Sequence, residues 1–382
     1  MKENLIAAPA RIRSIGGHRQ ATAAEQKQML DDYIAEGQAR AAGVIERIFT
    51  KIPEDRLVRS SAVRFETADA GPGLVLAVPK PGSDIEIDRL PMHDNAFAQA
   101  CARVEAPEAF MRGLAAMPGW GTDLAARNLN DLMAYRVGPQ PRFLVRAIDG
   151  QARGFLSDHY RRLDSRPIIE TLLGAVQKAG AVIADGVISD VRVSIRAILP
   201  QVYEPVAGEV MAFGLAFANS DFGRGAVELS AFALRVWCTN AATLENVLRK
   251  VHLGGRLDEN LAFSQRTYDL DTKTIASAVQ DMAAGMLDPA RIDALNGRVA
   301  AAAAQEIDPA RALVALRRTM TKGETDAVAA AFNGPDVEML PAGNTAWRFS
   351  NALSWVARHT EDQTRRMEIE AMAGDVIAAK AA

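Results

Sequence analysis

The sequence predicts an α+β fold: a central, mostly antiparallel sheet with packed helices, a helical N-terminal segment and an all-helical C-terminal third. Three observations predict it. Two β-type runs, 142–148 and 151–157, meet at Asp149 and Gly150, and a second pair, 210–218 and 226–238, flanks a glycine-rich turn. Beyond Asp271 the chain becomes alanine-rich and carries repeated helix-start signals.

In chain order, Met29, Leu30, Tyr33, Ile34, Val44, Ile45 and Ile48 recur at helical spacing, as one helix or two between about 21 and 50. Runs 57–65 and 74–78 read as short strands around the Ala-Gly-Pro-Gly turn at 70–73. Asp94 is an N-cap candidate, Pro107 a first-turn proline, and Thr122 or Asp123 a cap for the run to Tyr135. These signals predict a small helical insert.

Asp149-Gly150 is the residue choice for a type I′ hairpin, because both residues tolerate positive φ. Asp164 or Ser165 can cap a helix with Pro167 in its first turn, Ile168, Ile169, Leu172, Leu173 and Val176 on its buried face, and Gly180 at its end. The run 191–199 alternates apolar and polar residues, which puts Arg192 and Arg196 on the polar face of a half-buried strand. Met211, Phe213, Leu215 and Phe217 share one face of the next strand. In 226–238 the even positions Phe232, Leu234, Val236 and Cys238 read as core, while Arg235 and Trp237 stand side by side on the other face.

Asn240 is positioned to cap a helix running to about Leu253 and closed by Gly254 and Gly255, with Arg249, Lys250 and His252 near its C-terminus. Asp-Pro pairs at 288–289 and 308–309 start consecutive short helices. Trp347, Leu353, Trp355 and Val356, with the charged run to Val376, predict two terminal helices. The chain accordingly divides into an N-terminal arm with short strands (1–85), the helical insert (86–140), the α+β core (141–270) and the C-terminal helical region (271–382).

Composition limits the function. The net charge of −3 argues against coating nucleic acid by bulk charge, but segment 142–256 holds 14 Lys and Arg against 11 Asp and Glu, so a local basic surface is open to it. Cys101 and Cys238 are far apart in apolar contexts, which predicts neither a disulfide framework nor a thiolate metal site. The N-terminus lacks a hydrophobic signal core and no apolar run is long enough to span a bilayer, so a soluble cytoplasmic protein is expected.

The chemistry-bearing motifs are few. Neither GxxxxGK[ST] nor GxGxxG occurs, HExxH and CxxC are absent, and the five histidines lack mutual spacing. No metal, no cofactor and no catalytic residue set is expected; Ser157, Asp158 and His159 are adjacent, but a triad is a matter of spatial geometry. Two binding features remain. In the turn 219–225, Asn219, Ser220, Gly223 and Gly225 could converge backbone N–H groups on an anion beside Arg224, or form an ordinary long hairpin loop. Arg235 beside Trp237 has the make-up of a base-stacking platform, with Arg192, Arg196, Arg224, Arg249, Lys250 and His252 as charge partners; a packed indole with a salt-bridged arginine is the alternative.

The blocks FLSDHYRRLD (155–164), ANSDFGRGAVELSAFALRVWCTN (218–240), HLGGR (252–256) and NTAWRFSNALSWVARH (344–359) together resemble a family of phage- and plasmid-borne proteins of unknown function. The resembling positions are Ser157, Tyr160, Asn219, Ser220, Gly223, Gly225, Arg235, Cys238, Asn240, His252, Asn351 and His359, within roughly 85–380. The resemblance implies a mobile-element context among genes that process DNA, and no activity. The sequence expectation is thus an accessory protein, possible as a homo-oligomer, that binds single-stranded DNA on the 142–256 sheet during annealing or recombination. The alternative is a protein-interaction or assembly factor acting through the C-terminal helices.

Overall fold

The computed structural model describes residues 23–68, 73–83, 85–236, 240–252, 263–334 and 340–378. The predicted α+β class is what the chain adopts. Its N-terminal periodicity forms one helix, α1 (Ala23–Thr50). Four short strands follow: β1 (Glu54–Arg59), β2 (Arg64–Thr67), β3 (Leu74–Pro79) and β4 (Ile87–Pro91). The helical insert is α2 (Asp94–Arg103), α3 (Glu108–Ala115) and α4 (Trp120–Leu132). The hairpin strands are β5 (Arg142–Ile148) and β6 (Gln151–Ser157), and Asp149 and Gly150 take φ of 52° and 72°, as a type I′ turn requires. β2, β3 and β4 form one small sheet and β1, β5 and β6 another. Phe65, Leu76, Phe97, Leu129, Phe143 and Phe155 fuse both sheets and the insert around one apolar core.

The large sheet contains β7 (Val182–Ile188), β8 (Val193–Ile198), β9 (Tyr203–Val206), β10 (Glu209–Asn219), β11 (Val227–Arg235) and β12 (Asn240–Lys250). Its order is β12-β11-β10-β8-β7, with β9 also paired to β10, and every pairing is antiparallel. Helix α5 (Ser165–Lys178) precedes it. The helices α6 (Gln265–Met286), α7 (Pro289–Ala304), α8 (Pro309–Leu316), α9 (Lys322–Asn333), α10 (Ala346–Arg358) and α11 (Gln363–Ala378) follow it. Asp288 and Asp308 do cap α7 and α8, each side chain accepting from the N–H two residues on.

One expected element is of the wrong type: 240–250 is the edge strand β12, hydrogen-bonded along β11 from Arg235 opposite Asn240 to Val227 opposite Lys250. Two register shifts interrupt that ladder, so its buried positions do not alternate regularly and β periodicity is lost from the sequence. Strands β4, β7 and β9 were not foreseen either.

Helices cover the sheet on both faces. On one, Ile195, Ala197, Met211, Phe213, Leu215, Phe217, Leu229 and Ala231 pack with Ile168 and Leu172 of α5 and with Val279, Val299 and Leu353 of the C-terminal helices. On the other, Ala184, Ile198, Ala212, Ala216, Phe232 and Leu234 pack on Leu30 and Ile34 of α1. Contact is so close that a Cβ on Gly37 would lie 1.6 Å from the Ala184 carbonyl oxygen, and one on Gly374 of α11 would lie 1.5 Å from that of Thr243. Among the described residues no helix is long and apolar enough to cross a membrane.

Candidate nucleic-acid interface

The expected stacking platform needs an uncovered strand face, and among the described residues helices pack on both faces of the central strands β8, β10 and β11. Arg196, on β8, is 8% exposed and pairs with Glu370 of α11 while its guanidinium lies 5.5 Å from the centre of the Phe232 ring. Arg235, at the end of β11, is 3% exposed. Its Nε and Nη2 donate to the two carboxylate oxygens of Glu209 at 2.7 and 2.8 Å, and the Trp347 indole N–H donates to the same carboxylate at 3.2 Å. Both arginines therefore leave the predicted contact surface. A guanidinium cannot stay in an apolar layer without a matching charge, and each is matched from a distant segment. Trp237 and Cys238 lie outside the described residues.

The turn 219–225 is likewise not an open anion cradle. Asn219 and Ser220 are fully buried. The Ser220 hydroxyl donates to the Val191 carbonyl (2.6 Å) and accepts from the N–H groups of Phe222 (3.2 Å) and Arg224 (2.8 Å). Gly223, at φ 75°, donates its N–H to the Tyr160 hydroxyl at 3.2 Å. Those amides are already satisfied, so an anion gains little there. Gly225 is required for another reason: at φ 154° it has no side chain, and a Cβ would meet Arg192 Nη1 at 2.5 Å.

His252 belongs to the same buried construction. Its ring stacks on Tyr160 with centres 4.9 Å apart; Nδ1 lies 2.9 Å from the Arg161 carbonyl and Nε2 2.9 Å from Asn219 Oδ1. Burial pushes its pKa down to about 4, so the ring is neutral at pH 7 and does not serve as a cation. Asn219 Nδ2 in turn donates to the Leu163 carbonyl at 2.7 Å and the Ser165 hydroxyl at 3.0 Å.

Beside it sits a charged cluster that sequence reasoning missed. Arg146, 1% exposed in the middle of β5, donates to Asp55 (2.7 Å), Asp164 (2.7 Å) and the Asp221 carbonyl (2.7 Å). The Asp221 carboxylate accepts from the Ser165 N–H (2.8 Å) and hydroxyl (2.7 Å). The only sequence signal was a charged residue interrupting an apolar strand run, RFLVRAI, which does not say what it pairs with. Blocks 155–164 and 219–225 thus meet with His252 in a polar joint between the hairpin sheet and the large sheet.

Four of the expected residues lie at one corner of the large sheet, three of them at the surface. Glu228 on β11 receives Arg192 Nη2 at 2.9 Å and Arg249 Nε at 3.2 Å, the latter from the opposed position on β12. Arg192 Nη1 also donates to the Arg224 carbonyl at 3.4 Å. Lys250 is the neighbour of Arg249, opposite Val227. Arg224, Arg249 and Lys250 are exposed, while Arg192 is buried beneath them. Among the described residues no carboxylate lies within 4.0 Å of Arg224 or Lys250. At this corner Glu228 is shared by Arg192 and Arg249, while Lys250, next along β12, belongs to the other face of the strand.

Among the described residues no three His, Cys, Asp or Glu side chains are grouped to hold a metal ion. His159 Nδ1 lies 2.7 Å from Asp158 Oδ1, and Asp158 also faces Arg142 at 3.3 Å. No protein-family model, no curated protein and no solved structure matches this chain.

Proposed function

We propose that the protein binds nucleic acid, as single strands, through the basic corner formed by Arg192, Arg224, Arg249 and Lys250. The reading takes it as an accessory factor of a mobile element, working in a bacterial cytoplasm on annealing or recombination. One observation carries it: Arg192 and Arg249 share the carboxylate of Glu228 where the 219–225 turn meets the end of β12, with the exposed Arg224 and Lys250 beside them. The Arg249–Glu228 pair is exposed, and such pairs are worth only about 0–1 kcal/mol, so a phosphate can exchange for it, whereas the buried pairs of Arg196 and Arg235 are locked. Placement at the sheet's corner gives the cations a rigid base.

The test is anisotropy of a labelled thymidine oligonucleotide over a salt series. Each phosphate contact on a single strand contributes about −0.7 to the log–log slope, so R224A/R249A/K250A should flatten the slope by about 2. Salt-sensitive binding unchanged in this triple variant would remove the corner from the interface. A protein partner is the second reading, favoured by the exposed Phe110, Met117 and Trp120 at the α3–α4 junction. No strand binding at low salt by the intact protein would leave that reading in place.

A further inference from the structure

A cleft of about 120 Å³ opens between the end of α1, the β7–β8 loop and the start of α5. Its walls are apolar in part, from Ile48, Ile148 and Ile188; Arg47, Lys51, Arg153, Arg166 and Arg192 line it together with Asp164, Asp190 and Asp221. At its side stands Asp190, whose side chain is 53% exposed although cations surround it. Arg47 Nη2 lies 2.9 Å from Asp190 Oδ1, Arg153 Nη1 lies 3.4 Å from the same oxygen, and His93 Nε2 lies 3.7 Å from Oδ2. These three groups come from α1, β6 and the N-cap of α2.

Two of the three groups, His93 and Arg153, are held by contacts other than Asp190's carboxylate, whereas Arg47 bonds to that carboxylate. His93 Nδ1 accepts the Asn95 N–H at 3.1 Å, which leaves the proton of a neutral ring on Nε2, the nitrogen that faces Asp190. Arg153 is nine-tenths buried; its Nη1 donates to the Asp190 carbonyl at 3.0 Å, and its buried Nε has no hydrogen-bond partner among the described residues. The loop that carries Asp190 is held by Ser189, whose hydroxyl accepts the Arg192 N–H at 3.0 Å. Two donors held in place by other contacts, with a third from α1, converge on a half-exposed acid and resemble an oxyanion site more than a structural pair.

We propose that Arg47, Arg153 and His93 form a binding site for one phosphoryl group, in which the Asp190 carboxylate is the resident anion that the ligand displaces. A phosphate monoester carries about −1.5 to −2 charge at neutral pH and three acceptor oxygens, against one charge and two oxygens for the carboxylate. It therefore gains more from two guanidinium forks and an imidazole N–H. The hydrogen bond from Arg47, with Arg153 and His93 behind it, also holds the Asp190 carboxyl below the usual carboxylate range. The ligand class is a phosphate monoester or free phosphate, and the site stands whether or not the basic corner binds a strand.

Titration calorimetry at fixed ionic strength tests this with inorganic phosphate on the full chain. Asp190→Ala should bind phosphate at least about tenfold tighter than the unaltered protein, because the competing carboxylate is gone, and adding Arg47→Ala should abolish the gain. Arg47 is a surface residue of a long helix, so its loss leaves the fold intact. Equal phosphate affinity with and without Asp190, or a gain that survives Arg47→Ala, overturns the site. In the Asp190→Ala background, a 5′-phosphorylated thymidine octamer binding more tightly than its 5′-hydroxyl counterpart identifies a strand end as the source. Equal binding of the two octamers, with inorganic phosphate still bound, identifies a free small phosphate. The same titration on R224A/R249A/K250A/D190A keeps its phosphate affinity even if the corner proves not to bind nucleic acid.

Discussion

Arg235 and Glu209 form a two-pronged ion pair inside the molecule, 2.7 and 2.8 Å long, on which the Trp347 indole N–H also rests. β11, the start of β10 and α10 are thereby joined at one carboxylate. Arg235→Ala would leave the partly buried Glu209 with only the Trp347 N–H as partner among the described residues, and the expected loss of stability is about 3 kcal/mol, the low end for a broken buried pair. Urea unfolding of the variant measures this. Nucleic-acid affinity of the still-folded fraction should not change, which separates this arginine from those at the corner.

Glu228 holds two of the corner's arginines, and its charge opposes any phosphate that approaches them. Glu228→Gln keeps the shape and removes the charge. Strand affinity should rise about two- to fivefold, the equivalent of one partly exposed ion pair. An affinity that falls in the anisotropy assay would mean that Glu228 positions the arginines rather than competes with the strand.

Two glycines fix helices on the sheet. Gly374→Ala would put a methyl group 1.5 Å from the Thr243 carbonyl oxygen, so α11 must lift from β12 at a cost of about 3 kcal/mol. Gly43, on the exposed face of α1, has nothing within 4 Å of a built Cβ. Gly43→Ala should instead stabilise by up to about 1 kcal/mol, the helix preference of alanine over glycine. Thermal melts of the two variants should shift in opposite directions.

His252 links folding to pH. Its ordinary pKa of 6.5 drops to about 4 on burial, so the unfolded chain binds the extra proton first. The contribution is present above pH 6.5 and is lost as pH falls towards 4, amounting to about 3 kcal/mol in full. Asp164 works the other way: burial pushes it up to about 6, and its effect favours the acid side of that value. The His252 part is therefore read as a difference. Between pH 7.5 and 5 the unaltered protein should lose stability relative to His252→Gln, and parallel pH profiles in urea unfolding would refute this.

Local chemistry was readable where it is decided by neighbours in the chain. Asp149 and Gly150 carry the positive φ angles that their turn type demands, and the Asp-Pro pairs at 288–289 and 308–309 start helices. Helix α5 ends before Gly180, at φ 70°, as its pattern indicated. β12 was not readable, because two register shifts in its ladder break the alternation that marks a strand and leave spacings that also suit a helix.

The candidate site divides along the same line. Arg192, Arg224, Arg249 and Lys250 could be named from sequence as available charge, and the pairing of β11 with β12 does place them at one corner. Arg196 and Arg235 carry the same pattern on their strands but point at carboxylates 174 and 26 residues away. Alternation distinguishes the two sides of a strand without saying what covers either.

The sequence by itself determined the α+β class, the hairpin, the two Asp-Pro helix starts and the stock of cations, because each depends on backbone preferences and spacing over a few residues; it misplaced the caps at Asp94, at Thr122 or Asp123, and at Asn240. Only the tertiary structure decided that helices seal both faces of the sheet, which arginines are neutralised inside it, and which reach water at the corner. The physical reason is that desolvation and charge pairing depend on atoms brought together across the whole chain, and a strand's own residues carry no record of those partners.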